Sequence, residues 1–130
     1  MAEIILRSEI KRRKIKWWDV ASCGINAEVE GSISPNSKAA LEEINLSAKG
    51  FKPRQLTQSL IDKSTLMVTM TESQRLQLGE RGNVRSVKEI CGYDVPDPYG
   101  CDLEVYRLTR DALVKACNII IDEYILKFEE

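Results

Sequence analysis

The chain has 130 residues, 43% hydrophobic and 30% charged, the balance of a soluble globular protein that buries one core and is too short for two. With 19 Lys+Arg against 20 Asp+Glu the net charge is −1, which gives no general attraction to nucleic acid, and no apolar run is long enough to span a bilayer. The opening stretch mixes Ile and Leu with Glu3, Arg7, Glu9 and a basic run, which is not a signal peptide, so the expectation is one cytoplasmic domain over 1–130.

Residues 2–14 read as a helix, because Ala2, Ile5, Leu6 and Ile10 fall on one face. Residues 16–22 (KWWDVAS) follow as a strand candidate, and Cys23-Gly24 opens a loop rich in Gly, Ser and Asn. Ser34-Pro35 is a cap followed by proline at the first helical position, so a short helix is expected over 36–44. After the break at Lys49-Gly50-Phe51-Lys52-Pro53, a short helix is expected over 55–62. Residues 66–71 (LMVTMT) form the strongest strand candidate, an apolar run of the kind a doubly covered parallel sheet uses. A helix over 72–80, a short strand over 84–87 and a helical turn over 88–91 complete the middle of the chain. Two prolines make 95–100 (VPDPYG) an ordered loop. One long helix is then expected over 102–128, where Tyr106, Leu113, Cys117, Ile120, Tyr124 and Phe128 recur at threes and fours with a gap at Arg110. Helices alternating with strands predict an α/β fold: a three-layer parallel sheet with helices on both faces.

Two absences restrict the chemistry. Without histidine, Ser-His-Asp and Cys-His catalysis and all His-containing metal sites are excluded. Cys23, Cys91, Cys101 and Cys117 form no C-x-x-C pair, so they read as reduced, mostly buried thiols, with no metal or cofactor implied.

Asp97 lies between two prolines, which hold its carboxyl on a stiff loop in the way a general acid requires; the same Asp-Pro-Tyr-Gly sequence also makes a plain turn. Tyr99 offers either a stacking face for an aromatic substrate or an anchoring side chain. Cys101 and Arg107 have the C-x5-R spacing of cysteine phosphatases, but Asp102 and Glu104 between them repel a dianion and no glycine shapes an amide cradle. Those residues instead suit the start of the last helix. The basic run 11–14 reads as a solvated helix end, and Trp17-Trp18 as a core or interface anchor. Cys23 has neither a positive partner nor a glycine cradle nearby in sequence and reads as a buried thiol.

In order along the chain, these segments resemble the low-molecular-weight protein-tyrosine-phosphatase family. Residues 1–6 (MAEIIL) resemble the helix after that family's phosphate loop, and 19–25 (DVASCGI) its second strand and following turn. Ser34-Pro35 is similar to its next helix start, Arg54-Gln55-Leu56-Thr57 to a further signature, and 66–71 to its third strand. The most specific match is 95–100, which resembles the general-acid loop, followed by Glu104-Val105-Tyr106.

The resemblance implies hydrolysis of a phosphomonoester in two steps. A cysteine thiolate attacks phosphorus, and an aspartic acid protonates the leaving oxygen and then activates water against the phosphocysteine. It assigns the acid/base role to Asp97 and a substrate-binding role to Tyr99. The family's first central strand and its Cys-x5-Arg-Ser loop have no counterpart ahead of Met1. The expectation is therefore an N-terminally truncated, inactive chain with no nucleophile, whose phosphotyrosine-protein or other phosphomonoester substrate requires the loop. The rival expectations are a non-catalytic pseudo-phosphatase that binds a partner or dimerises through unpaired strand edges, and a phosphoarginine phosphatase when full length. Arsenate reduction requires a cysteine pair that Cys91 and Cys101 do not match. For the sheet, either 16–22 pairs directly with 66–71 or another chain fills the gap.

Overall fold

The computed structural model describes residues 1–16, 18–25 and 33–128, the side chain of Phe128 excepted. Trp17, the loop 26–32 and the apolar position assigned to Phe128 lie outside the described residues.

Helix α1 (Ala2–Arg12) carries Glu3 in its first turn and Lys11 and Arg12 in its last, which complements the helix dipole. It ends earlier than the predicted 2–14 because Arg13 caps it and Lys14 turns the chain at a φ of 59°. Ser34 caps α2 (Pro35–Glu42), with proline in the first turn. Thr57 caps α3 (Gln58–Lys63), which is displaced from the predicted 55–62 because Gln55 instead bridges to Gly24.

Strand β1 (Met67–Thr69) is followed by α4 (Glu72–Leu78), which opens on a reciprocal capping box between Thr71 and Gln74. A second box, between Ser86 and Glu89, joins β2 (Val84–Ser86) directly to α5 (Val87–Cys91). The two strands pair in parallel with Met67 opposite Val84, and helices flank them. The predicted α/β class with a small parallel sheet is therefore present.

The predicted strand 16–22 requires correction. The described residues 18–23 belong to no strand ladder and do not pair with β1; the single parallel bridge joins Gly24 to Gln55. Side chains of α1 meet the peptide groups of this segment. The Ser22 N–H and hydroxyl both donate to Glu3 Oε1 (2.7 and 2.8 Å), and the Arg7 guanidinium donates to the Val20 carbonyl. Two of the segment's backbone groups, the Ser22 N–H and the Val20 carbonyl, thus find partners on α1.

Helix α6 (Leu103–Ile120), capped by Asp102, continues through a π-helical turn (Ile121–Ile125) into α7 (Leu126–Phe128). The single uninterrupted helix predicted over 102–128 is corrected by that turn. A π turn inserts one residue into the helical register, so Ile121 and Ile125 are buried where the threes-and-fours pattern had placed Tyr124, which is half-buried. The gap at Arg110 is also explained. Its side chain lies on the apolar side of α6, and Nη1 donates to the Ala40 carbonyl (3.0 Å) and to Glu43 (2.7 Å).

Ile5, Leu41, Val87, Val95, Leu113, Ala116 and Cys117 form the main core cluster, and Ile10, Ile120, Ile121 and Ile125 a second one on which Trp18 and Val20 pack. Glu43 clamps α2 to α6 by accepting from Arg107 (2.7–3.1 Å) as well as Arg110. Those guanidinium hydrogen bonds, Arg107 first, bring its carboxyl from the ordinary 4.5 to about 2. A carboxylate held below its unfolded-state pKa adds stability above that value and loses it as pH falls through the folded one. Denaturant midpoints should therefore fall as pH drops from about 5 to about 2. Glu43→Gln should start lower near neutrality and show a shallower fall over that range; identical acid slopes would contradict the assignment.

Candidate functional site

The loop 95–100 is fixed at both ends. Val95 is buried and its N–H donates to the Met70 carbonyl (2.8 Å), which attaches the loop to the carboxyl end of β1. At the far side the Cys101 N–H returns to the Pro98 carbonyl (2.9 Å), Gly100 takes a φ of 82° that favours glycine, and the Cys101 carbonyl accepts from Asn36 of α2 (3.3 Å). Asp102 then caps α6 by accepting from the Val105 N–H (3.1 Å). In open parallel sheets the carboxyl ends of strands are where ligand-binding loops gather.

Asp97 is exposed at the tip of this loop. Its Oδ1 accepts the Tyr99 N–H (3.0 Å), and no partner for Oδ2 occurs among the described residues. That turn orients the carboxyl and leaves one oxygen available to carry a proton. Tyr99 is 81% exposed, with its ring in solvent next to that oxygen in the chain. Both residues predicted from sequence therefore stand together on one loop. Burial pushes the Met1 ammonium at the start of α1 down, and the charges of Glu3, Cys117 and, least, Asp97 oppose that shift.

The four cysteines do not follow the expected burial. Cys117 is buried and Cys91 half-buried, but Cys23 and Cys101 are exposed. Burial, helped by Glu9 and Cys91, pushes the Cys117 thiol up to about 12. Cys23 is also shifted upward by burial of its sulfur, although Arg54 works against it; the sequence had shown no basic neighbour because Arg54 arrives through the Gly24–Gln55 bridge. The C-x5-R pair is taken apart by the fold. Cys101 sits in the turn before α6, whereas Arg107 is committed to Glu43 and Glu104. Among the described residues no group of three or more His, Cys, Asp or Glu is placed to hold a metal ion, and no helix is long and apolar enough to cross a membrane.

A small parallel sheet flanked by helices, with a Pro-bounded acid loop at the end of β1, defines the low-molecular-weight phosphatase fold. The family described as low molecular weight phosphotyrosine protein phosphatase matches residues 1–127, and the chain belongs to it. It is a family of hydrolases that work through a phosphocysteine. The chain is 31% identical over 121 residues to a protein-arginine-phosphatase of Bacillus subtilis, covering 87% of this chain and 79% of that one. It is 31% identical over 105 residues to the low molecular weight protein-tyrosine-phosphatase PtpB of Staphylococcus haemolyticus, covering 73% and 72%. The crystal structure of a YwlE mutant from Bacillus subtilis superposes with a TM-score of 0.85 at 26% identity, covering 94% of this chain and 86% of the other.

Thiol reactivity checks this geometry. In the native protein Cys101 should react with a disulfide reagent before Cys23 and Cys91, whose thiols burial shifts upward, and Cys117 only on unfolding. Cys101→Ser should leave any hydrolysis measured as phosphate release unchanged, since Arg107 is turned away from it.

Proposed function

We propose that the protein is a phosphoarginine-directed member of its family, in which Asp97 is the general acid and base and Tyr99 forms a wall of the substrate cleft. The observation that supports the acid assignment is the setting of Asp97, an exposed carboxyl on a loop fixed at both ends, with one oxygen held by the Tyr99 N–H. The choice of phosphoarginine follows the match to the protein-arginine-phosphatase over 87% of this chain.

Leaving-group chemistry makes the acid essential. A thiolate attacks phosphorus and the P–N bond breaks, so the departing guanidine must take a proton, which Asp97 supplies. Asp97, now a carboxylate, then accepts a proton from the water that attacks the phosphocysteine. Inorganic phosphate leaves and the thiolate is restored. Guanidine is a far stronger base than a phenolate, with a conjugate-acid pKa above about 12 against about 10, so its departure depends even more on protonation. None of Cys23, Cys91, Cys101 or Cys117 combines exposure, a free arginine and an amide cradle. On this reading the acid is Asp97 and the attacking thiolate is that of a Cys-x5-Arg loop, which the test below supplies.

The test compares the chain alone with a fusion that places an apolar strand and a Cys-x5-Arg-Ser loop before Met1. The fusion should hydrolyse a phosphoarginine peptide with a higher kcat/KM than a phosphotyrosine peptide. In the fusion Asp97→Asn should lower kcat by about 10²–10⁴. The loss should be smaller on p-nitrophenyl phosphate, whose leaving group needs little help from an acid. Phosphate release by the chain alone, abolished by Cys23→Ser, would overturn the reading; so would a folded fusion with no turnover, which would favour the pseudo-phosphatase.

A further inference from the structure

A groove of about 360 Å³ runs between α1 and the turn 46–51. Its floor is apolar, built from Ile4, Leu46 and Phe51, all half-buried. Its rim is basic: Arg7 and Lys11 stand on the α1 wall and Lys49 on the other.

The charges in the groove are not balanced internally. Glu3 is the one acid in its lining, and its two carboxylate oxygens are already occupied by the Ser22 N–H, the Ser22 hydroxyl and Arg7. Arg7 is likewise committed, to Glu3 and to the Val20 carbonyl. Lys11 and Lys49 make no ion pair or hydrogen bond from their side chains to any of the described residues. Seven of the nine arginines, by contrast, hold carboxylates: Arg7, Arg12, Arg13, Arg75, Arg81, Arg107 and Arg110. Two lysines without a side-chain partner among the described residues therefore line a groove with an apolar floor.

We infer that this groove docks an acidic, apolar-anchored segment of the protein substrate, with an aliphatic or aromatic side chain on the floor and carboxylates at Lys11 and Lys49. The substrate assignment rests on the phosphatase reading; the docking chemistry does not. Spacing connects the two. On that reading the thiolate loop leads into α1, and Lys11 lies nine residues beyond Ala2 on that helix, about 14 Å at about 1.5 Å per residue. An extended chain advances about 3.3 Å per residue, so the acidic segment lies about four residues from the phosphorylated side chain.

Binding is measured first, on the 130-residue protein and without phosphate. The probe is a fluorescein-labelled peptide, acetyl-Gly-Glu-Asp-Leu-Phe-Asp-Glu-Gly-amide, followed by anisotropy against its Gln/Asn counterpart. The acidic peptide should bind at least tenfold more tightly, and the difference should shrink as salt is raised. Lys11→Glu with Lys49→Glu should remove that preference. Lys38→Glu with Lys63→Glu, which changes net charge equally on exposed lysines elsewhere, should retain it. If charge reversal disturbs folding by circular dichroism, Lys11→Gln with Lys49→Gln gives the same comparison. Equal binding of the two peptides, or a preference that survives loss of both lysines, would overturn the docking site. In the loop-bearing fusion, a phosphoarginine peptide with the acidic segment about four residues away should show a several-fold lower KM at similar kcat, dependent on Lys11 and Lys49. Equal KM values would overturn the substrate assignment alone. A fusion without turnover would overturn the phosphatase reading while the binding result stands.

Discussion

The packing of α1 against α6 is the contact on which the rest of the architecture depends. Ile5 fits against Leu113, Ala116 and Cys117, all with 4% exposure or less. The small side chains of Ala116 and Cys117 let the helices approach closely enough for Cys117 Sγ to reach the Ala2 carbonyl (4.0 Å). At the other end of the seam Arg13 binds Asn118 and Asp122 (both 2.6 Å), which fixes the register between the helices. Burial of this apolar surface stabilises the fold by about 25 cal/mol per Å² removed from water. The loop carrying Asp97 is attached separately, by the hydrogen bond from the Val95 N–H to the Met70 carbonyl.

A second constraint concerns the segment before Gly24. Peptide groups near a sheet must find partners, and a buried group without one costs about 1–3 kcal/mol. Here Glu3 and Arg7 supply partners from α1. This local solution replaces the predicted pairing of 16–22 with β1, and it has a consequence for binding. By committing Glu3 and Arg7 inward, it leaves Lys11 and Lys49 as the uncommitted charges of the neighbouring groove. One set of hydrogen bonds thus completes the fold and sets the electrostatic character of a surface.

Arginine and lysine divide the work in this protein. Arg75, Arg107 and Arg110 hold carboxylates within the fold, as in the Glu43 clamp between α2 and α6 and the cluster of Arg75 with Glu72, Glu80 and Glu89. The planar guanidinium suits such multiple bonding, whereas the more strongly hydrated ammonium of lysine is left at the surface. This arrangement accounts for an arginine on the apolar side of α6: Arg110 brings its charge to the Ala40 carbonyl and Glu43, where an aliphatic side chain would leave both without that partner.

The sequence by itself determined the α/β class, the start of α2 and the loop that presents Asp97 and Tyr99. Those features depend on neighbours in the chain: Ser34 before Pro35, and two prolines around one carboxyl. The proposed role of that carboxyl comes from the family resemblance, since composition alone left a plain turn open. Tertiary structure decided everything that required a distant partner. A strand exists only where another strand accepts it, so 16–22 looked like one, whereas Val20 and Ser22 are bonded by side chains of α1. The π turn at Ile121–Ile125 moved the buried face by one residue, which no local pattern announced. Exposure of Cys23 and Cys101, and the approach of Arg54 to Cys23, followed from where the turns and the Gly24–Gln55 bridge fell. The groove lined by Lys11 and Lys49 joins residues far apart in sequence, which only the approach of the turn 46–51 to α1 brings together.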